Sequence, residues 1–359
     1  MRHIDTLIIG QGLCGTWLSR WLEQYNHDYL IIDEGKTNSS SRIASGVINP
    51  VTGRILAKTW MADTLLPFAM DAYSELGKEL GIDCIQSTRI LHSFPSQQMK
   101  EAFDARLPEF GEYLKTPADK DYWNRFMESP YGLGSIQPAL LINLFLLLSR
   151  WKAYLIGQKR LLTERFEPAA LMYSEKGIEY RDIKANRIIY CDGIEGMDLP
   201  YFNRLPFAPN KGQALLLEIP GMPAGAIYKK GISLVPYPSI EGEYNAAYFW
   251  AGSTYENDFT TVAPTPEFRE RTEQLVRNWI KLPFTTLHHW AGIRPANLER
   301  RPFVGMHPHF PVIGILNGTG TKGCSLAPYF GKQLAQAIAE GGQILPEAHI
   351  NRFSRLLSP

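Results

Sequence analysis

The sequence predicts an α/β protein in which a Rossmann-type nucleotide-binding domain is interleaved with an α+β domain carrying a mixed or antiparallel sheet. Three observations lead there. Near the start, the apolar run Leu7-Ile-Ile leads into Gly10-Gln-Gly-Leu-Cys-Gly15 and then into helical periodicity through Leu18, Trp21 and Leu22. A second apolar strand, Tyr29-Leu-Ile-Ile32, then ends at Asp33, which completes a strand, glycine loop, helix, strand and acid unit. Between 206 and 284 the apolar runs are short and broken by Pro and Gly, the pattern of antiparallel strands. The two patterns alternate with no repeat and no low-complexity linker. That places the nucleotide-binding domain over roughly 1–80, 138–205 and 285–359, and the second domain over roughly 81–137 and 206–284.

Each element follows from its pattern. Leu7-Ile-Ile and Tyr29 to Ile32 are continuous apolar runs, as expected of strands buried on both faces of a parallel sheet. Thr37 to Gly46 is a loop of small polar residues. Ala62 to Leu80 and Gln97 to Leu114 read as helices, with an apolar segment at Ile90 and Leu91 between them. Pro138 should open a helix over Ala139 to Trp151 that is hydrophobic nearly all round and therefore buried. Short strands follow at Leu161 to Phe166, Leu171 to Tyr173, Gly177 to Tyr180 and Arg187 to Tyr190. Lys211 to Ile219, Ala226 to Tyr237 and Tyr248 to Ser253 are strands, and Phe268 to Ile280 is an amphipathic helix. His288 to Arg294, Ile313 to Leu316 and a helix over Ala327 to Ala339, stopped by Gly341-Gly342, close the chain.

Composition excludes several classes. There are 37 basic against 36 acidic side chains in 359 residues, a net charge of +1, so no field steers the chain onto nucleic acid or anionic membrane. With 17 Tyr, 17 Phe and 8 Trp it has ample apolar area to offset chain entropy, which excludes disorder. Cys14, Cys84, Cys191 and Cys324 show neither disulfide-scaffold nor metal-ligand spacing, so no metal is expected. Thr6 to Leu18 lacks a cleavage site, and the longest apolar run, Ala139 to Leu148, is about half a membrane span. These features read as a cytoplasmic protein with no membrane segment.

The glycine loop carries the first chemistry. Gly10 permits the tight turn, Gly12 lets backbone amides approach a pyrophosphate, and Gly15 lets the helix pack close to the sheet; Leu13 and Cys14 complete the loop. The helix N-terminus favours phosphate. Asp33, at the tip of the second strand, suits ribose hydroxyls. The motif leaves NAD and FAD open. Two further segments, Arg42 to Ile48 and Gly318 to Pro328, are rich in glycine and hydroxyls, and the second ends at a helix start whose dipole suits a developing anion.

In this layout the chain resembles the D-amino-acid-oxidase superfamily of FAD-dependent amine oxidases, as in glycine oxidase and sarcosine oxidase. The resemblance runs in order through Gly10 to Gly15, Asp33, Ser41 to Ile48, Cys191-Asp-Gly193, Lys211-Gly-Gln213, Trp250 to Thr254, Gly292-Ile-Arg-Pro295 and Thr319 to Pro328. It implies non-covalent FAD, with Asp33 and Glu34 on the adenosine ribose. Ser41, Arg42, Ser45, Gly46, Val47 and Ile48 would line the pyrophosphate and the flavin ring. Phe166, in the strand after Leu161, would offer its backbone to adenine, and Cys191, Asp192 and Gly193 would pass beneath the ADP part. Gly320, Thr321, Lys322, Gly323, Cys324 and Ser325 would cover the pyrimidine edge. No cysteine stands in Pro302 to Gly314, where a covalent flavin link would come from.

For the substrate, the resemblance implies that Arg294 clamps a carboxylate, a task suited to a planar two-pronged donor. Arg54 and Lys322 resemble a basic pair with the same purpose, although Lys322 stands where related chains tend to have Arg. Tyr248 and Tyr237 lie on strands that could roof the substrate. His307 and His309 fall in a Pro-bounded loop without a carboxylate partner, read as solvated. The implied reaction is oxidation of the C–N bond of a small amine or amino acid by hydride transfer to flavin N5, then imine hydrolysis and reoxidation by O2. Such chemistry needs anchors and a cofactor rather than a catalytic triad. The Ala44 to Pro50 loop also resembles the FAD domain of an enzyme that matures a wobble uridine in tRNA, and a flavin dehydrogenase or flavin-binding protein without oxidase turnover stays open. Oligomeric state is not legible.

Overall fold

The computed structural model describes residues 1–359 except Arg54, residues 239–243 and Pro359, and leaves the side chains of Tyr244, Asn245 and Ala246 undescribed. The chain forms two compact units: Met1–Arg42, Leu147–Asn210 and Ile293–Pro359 make the first, Ile43–Leu146 and Lys211–Gly292 the second. Residues 43–80, expected with the first, belong to the second. There Val47–Ile48 pairs with Leu140 and Leu141, and the helix Ala62–Leu80 turns back through Gly81 onto the strand Ile85–Ser93.

The first unit is built on an eight-stranded sheet whose centre is parallel. Strand Arg2–Ile9 lies between Tyr29–Ile32 and Ile183–Tyr190, and Ile313–Asn317 extends the parallel set beside Ile188 to Tyr190. Leu7, Ile8, Leu30 and Ile31 have no exposed surface, which is why these runs carry no polar alternation. Helices Leu13–Gln24 and Gly323–Glu340 pack together, with Trp21 Nε1 donating to the Pro328 carbonyl at 2.8 Å. Trp151 reaches the first of these helices through Ser19 Oγ at 3.0 Å.

The second unit carries a nine-stranded mixed sheet, ordered Thr285–Arg294, Asn210–Glu218, Tyr244–Gly252, Ile232–Pro238, Ile227–Lys230, Ile85–Ser93, Leu133–Ile142 and Val47–Ile48, with Leu114–Lys115 also on Leu133–Ile142. Ile227–Lys230 runs parallel to Ile85–Ser93, and antiparallel pairings flank that step. Both faces are covered. One buries Leu91, Leu215, Tyr228 and Trp279, the other Ile90, Ile136, Val235 and Trp250.

Several expected elements differ. Ala139 to Trp151 is not one helix: residues 139–142 finish the strand Leu133–Ile142, and the helix Leu144–Gly157 begins only after Asn143, whose Oδ1 accepts from Leu146 N at 3.0 Å. A run apolar on every side has no period, so periodicity cannot separate a doubly buried strand from a buried helix. The helix expected to reach Leu114 stops at Arg106, ahead of Pro108, and Leu114 instead pairs with Ile136. The strand expected to reach Phe166 covers only Leu161–Leu162. Within the Thr37 to Gly46 loop, Ser40–Ile43 forms one helical turn.

Candidate active site

In the first unit the Gly10 to Gly15 loop is fixed by close approach. Gly10 has φ +97°, and a Cβ there would stand 2.6 Å from the Cys191 carbonyl oxygen. A Cβ on Gly15 would stand 1.9 Å from the Gly10 carbonyl oxygen, so the helix can start this close to the strand only with glycine. Gly12 caps the helix without a side-chain hydrogen bond, while Ser41 Oγ accepts from Leu13 N at 3.1 Å. Asp33 is held by backbone donors, Gln11 N to Oδ2 at 2.8 Å and Gly35 N to Oδ1 at 2.7 Å. Glu34, half-buried, pairs with Lys36 at 2.5 Å. Arg42 donates to Gln11 Oε1 at 3.4 Å.

The other first-unit segments converge on this loop. Cys191 N donates to the Ile9 carbonyl at 2.8 Å, which seats Cys191-Asp-Gly193 beside Gly10. The thiols of Cys14 and Cys324 are pushed up to about 12 by burial, the behaviour of packing cysteines rather than nucleophiles. Burial also pushes the Asp192 carboxyl up to about 8; Asn317 Nδ2 donates to its Oδ1 at 3.4 Å. Gly323 lies against Leu13, and Gly320 N donates to the Pro295 carbonyl at 3.2 Å, so the late glycine segment touches both the first loop and the Gly-Ile-Arg-Pro segment. Ser325 Oγ donates to the Lys322 carbonyl, and Thr321 is exposed. Burial, followed by the nearby Arg300 charge, lowers the Lys322 ammonium to about 8. Arg294 Nη1 donates to Oδ1 of the fully buried Asn210 at 2.5 Å. Phe166 sits beyond the end of its strand, its ring 4.9 Å from Tyr180, so its expected place in a strand is corrected.

Asp192 sets one pH prediction. Its folded pKa is raised above the unfolded carboxylate value near 4, so the stability it lends is complete below about pH 4 and is lost as pH rises through about 8. Asp192→Asn should therefore match the parent in melting temperature at low pH and melt higher at pH 9. Melting curves that stay parallel across that range would contradict this.

In the second unit the half-buried Ser45 precedes Gly46, whose carbonyl accepts from Ile142 N at 2.9 Å, and Val47 and Ile48 form an edge strand. Trp250 Nε1 donates to the Ile43 carbonyl at 3.0 Å beneath this loop. Tyr248 is half-buried on its strand opposite Glu218, and Tyr237 lies against Trp290 at 5.6 Å. Arg54 lies outside the described residues.

Two features escaped the sequence reading. His307 is not a solvated loop residue: it is buried, and its Nδ1 accepts from the backbone N–H groups of His309 and Phe310 at 3.1 and 3.2 Å. Burial lowers it to about 4, so it is a neutral turn-former. Asn210 and Asn297 were missed as well. Asn297 Nδ2 ties the Gly318 and Arg301 carbonyls at 2.7 and 2.8 Å, and a lone asparagine gives no spacing signal by which to find it.

A parallel nucleotide-binding sheet with this loop set, joined in one chain to a mixed sheet, defines a dinucleotide-dependent α/β enzyme. A family model described as DAO, FAD dependent oxidoreductase, matches residues 5–337, and the chain belongs to that family. It is thus an FAD-dependent oxidoreductase. The chain is 23% identical to glycine oxidase of Bacillus subtilis (strain 168) over 366 residues, covering 94% of this chain and 93% of that one. Its fold is similar to glycine oxidase from Geobacillus kaustophilus, at TM-score 0.78, 15% identity and 96% coverage of each chain. It is also similar to iminodiacetate oxidase from Chelativorans sp. BNC1, at TM-score 0.76, 18% identity, 95% of this chain and 97% of that chain. Among the described residues, no helix is long and apolar enough to cross a membrane.

Proposed function

We propose that this chain oxidises the C–N bond of a small amine or amino acid, using FAD held without a covalent bond. The observation that supports it most is the convergence in one unit of the Gly10 to Gly15 loop, the Cys191 to Gly193 segment, the late glycine segment and the Asn210-held Arg294. The residues fit the cofactor: Gly10 and Gly15 let the turn and the helix start press against backbone where any Cβ would collide, which keeps the first helix amides close to the strand end, and Asp33 has its carboxylate fixed by two amides at the strand tip.

Gly10, Gly12 and Gly15 would hold the pyrophosphate at the helix start, with Leu13 and Cys14 lining it and Asp33 and Glu34 on the ribose. Ser41 and Arg42 extend the phosphate contacts. Ser45 to Ile48 and Gly320 to Ser325 are proposed for the flavin ring, and Phe166 for the adenine. Bound FAD supplies the two-electron acceptor for a hydride leaving the α-carbon. Arg294, oriented through Asn210, binds the substrate carboxylate with its planar fork, and Lys322 adds a second cation. Arg54 and Tyr248 are proposed as further substrate contacts. With the carboxylate anchored, the amine is held for C–H cleavage and loses a proton to water; the imine released takes up water to give a carbonyl compound and an amine or ammonia. Oxygen is proposed to take up the electrons as hydrogen peroxide, in a cytoplasmic setting.

Aerobic incubation with glycine, sarcosine and iminodiacetate tests this: peroxide and carbonyl product should appear in equal amounts from at least one of them. Carbonyl product without peroxide would overturn the oxidase part and leave a dehydrogenase. Lys322 gives the pH dependence. Its charge is complete below about pH 8 and is lost above it, so acetate, which stays ionised throughout, should inhibit more weakly at pH 9 than at pH 7. In Lys322→Arg that dependence should flatten, since arginine stays charged. An equally steep dependence in the variant would remove Lys322 from the site.

A further inference from the structure

In the first unit, both backbone polar groups of Gly318 are taken by asparagine side chains. Asn317 closes the strand Ile313–Asn317 and is buried, and its Oδ1 accepts from Gly318 N at 2.8 Å. Its Nδ2 donates to the Gly193 carbonyl at 2.7 Å and to Asp192 Oδ1 at 3.4 Å. From the other side, Asn297 Nδ2 donates to the Gly318 carbonyl at 2.7 Å. Gly318 has φ +72°, and a Cβ there would stand 2.8 Å from the Phe303 ring, so this turn requires glycine.

These bonds meet where three segments join. Asn317 ties the late glycine segment to Cys191-Asp-Gly193, and Asn297 ties it to the chain just past Arg294. Beyond Gly318, Gly320 N donates to the Pro295 carbonyl at 3.2 Å and Lys322 N to the Thr319 carbonyl at 3.0 Å. The helix Gly323–Glu340 starts directly after, with Gly323 against Leu13 and Thr319. Buried amide side chains are costly unless their polar atoms are bonded, and here the bonds go to the backbone that leads into this helix. An amide both donates and accepts in one plane, whereas an ionised Asp at 317 could not donate to the Gly193 carbonyl. The position of the late segment thus depends on two side chains that flank it.

We infer that Asn317, together with Asn297, is a positioning residue that sets the reduction potential of the flavin. The inference rests on the proposed placement of Gly320 to Ser325 at the pyrimidine edge and goes beyond it. That edge gains negative charge when the cofactor is reduced, so oriented amides there favour the reduced form over the oxidised one. The pyrophosphate carries the same charge in both forms, so contacts to it change both affinities alike. Side chains that fix the late segment change the ratio of the two affinities, and that ratio sets the potential.

Two-electron midpoint potentials of the full-length FAD-loaded protein, measured anaerobically against a reference dye, test it. Asn317→Ala should weaken the preference for reduced over oxidised FAD by about tenfold, which lowers a two-electron potential by about 30 mV. Asn297→Ala should lower it by a smaller amount, and it decides alone if Asn317→Ala does not fold. The double variant should shift less than the two together, since both act through Gly318. Ile178→Ala, a cavity in the core of the same unit, should lower the melting temperature and leave the potential at the parent value. Unchanged potentials in both asparagine variants would overturn the inference and leave two structural amides. Loss of flavin from both would overturn it too, because the side chains would then serve FAD binding as a whole. Lys322→Met removes a cation from the segment itself and tests the placement separately. A potential moved by Lys322→Met but by neither asparagine variant would sink the positioning role alone, and one that none of the three moves would sink the placement as well. None of these readings needs amine turnover, so a flavoprotein that oxidises no amine would lose the proposed reaction and keep this test.

Discussion

Gly15→Ala should purify without flavin colour. The added Cβ would lie 1.9 Å from the Gly10 carbonyl oxygen, and backbone there cannot swing aside as a side chain would. The helix Leu13–Gln24 must back away from the strand Arg2–Ile9 or tilt, and either movement withdraws its first amides from the phosphate position. Overpacking of this kind costs about 1–3 kcal/mol in a well-packed core, and here the helix also meets Gly323–Glu340 through Trp21 and Pro328. The expected result is a lower melting temperature together with a visible absorbance ratio near that of apoprotein after FAD is added. A variant that takes up FAD fully and melts like the parent would mean that the loop does not carry the cofactor.

Arg294→Met should keep its flavin and lose its substrate. The variant removes a bidentate donor whose replacement costs on the order of 3–4 kcal/mol when a carboxylate is left unpaired, so kcat/KM for an amino acid should fall by about 10²–10³. Most of that loss should appear in KM for substrates anchored by the carboxylate, and an amine lacking a carboxylate should be affected far less. Lys at this position should recover only part of the activity, because an ammonium cannot match two oxygens in one plane. Asn210→Ala should shift the same parameters in the same direction by a smaller amount, since Asn210 holds the guanidinium at Nη1. Equal loss for amines with and without a carboxylate would show that Arg294 supports the fold instead.

The glycine loop was legible in the sequence because its chemistry is local: turn, helix start and acid lie within 33 residues, and the turn and the helix start make backbone approaches that only glycine accommodates. The same holds for the Gly341 stop of the last helix, which takes the left-handed conformation at φ +74°. Residues 139–151 were misread for the opposite reason, since apolar side chains on every face erase the period that separates strand from helix. The boundary of the first unit was displaced because the 43–80 segment is assigned by strand pairing with Leu140 and Leu141, almost a hundred residues away. Long-range register also hides which residues of the mixed sheet are neighbours. His92, Lys229 and Ser233 become neighbours only when a parallel pairing joins Ile85–Ser93 to Ile227–Lys230. His307 looked like a solvated loop residue because nothing local shows that its ring nitrogen closes its own turn.

The most direct measurement is an anaerobic titration of the FAD-loaded protein with glycine, sarcosine, proline, D-amino acids and iminodiacetate, watching the visible flavin band. Loss of that band with one of these compounds, and its return when air is admitted, is the predicted result. A flavoprotein whose band none of them bleaches would contradict the small-amine reading and turn attention to larger secondary amines such as those on modified tRNA.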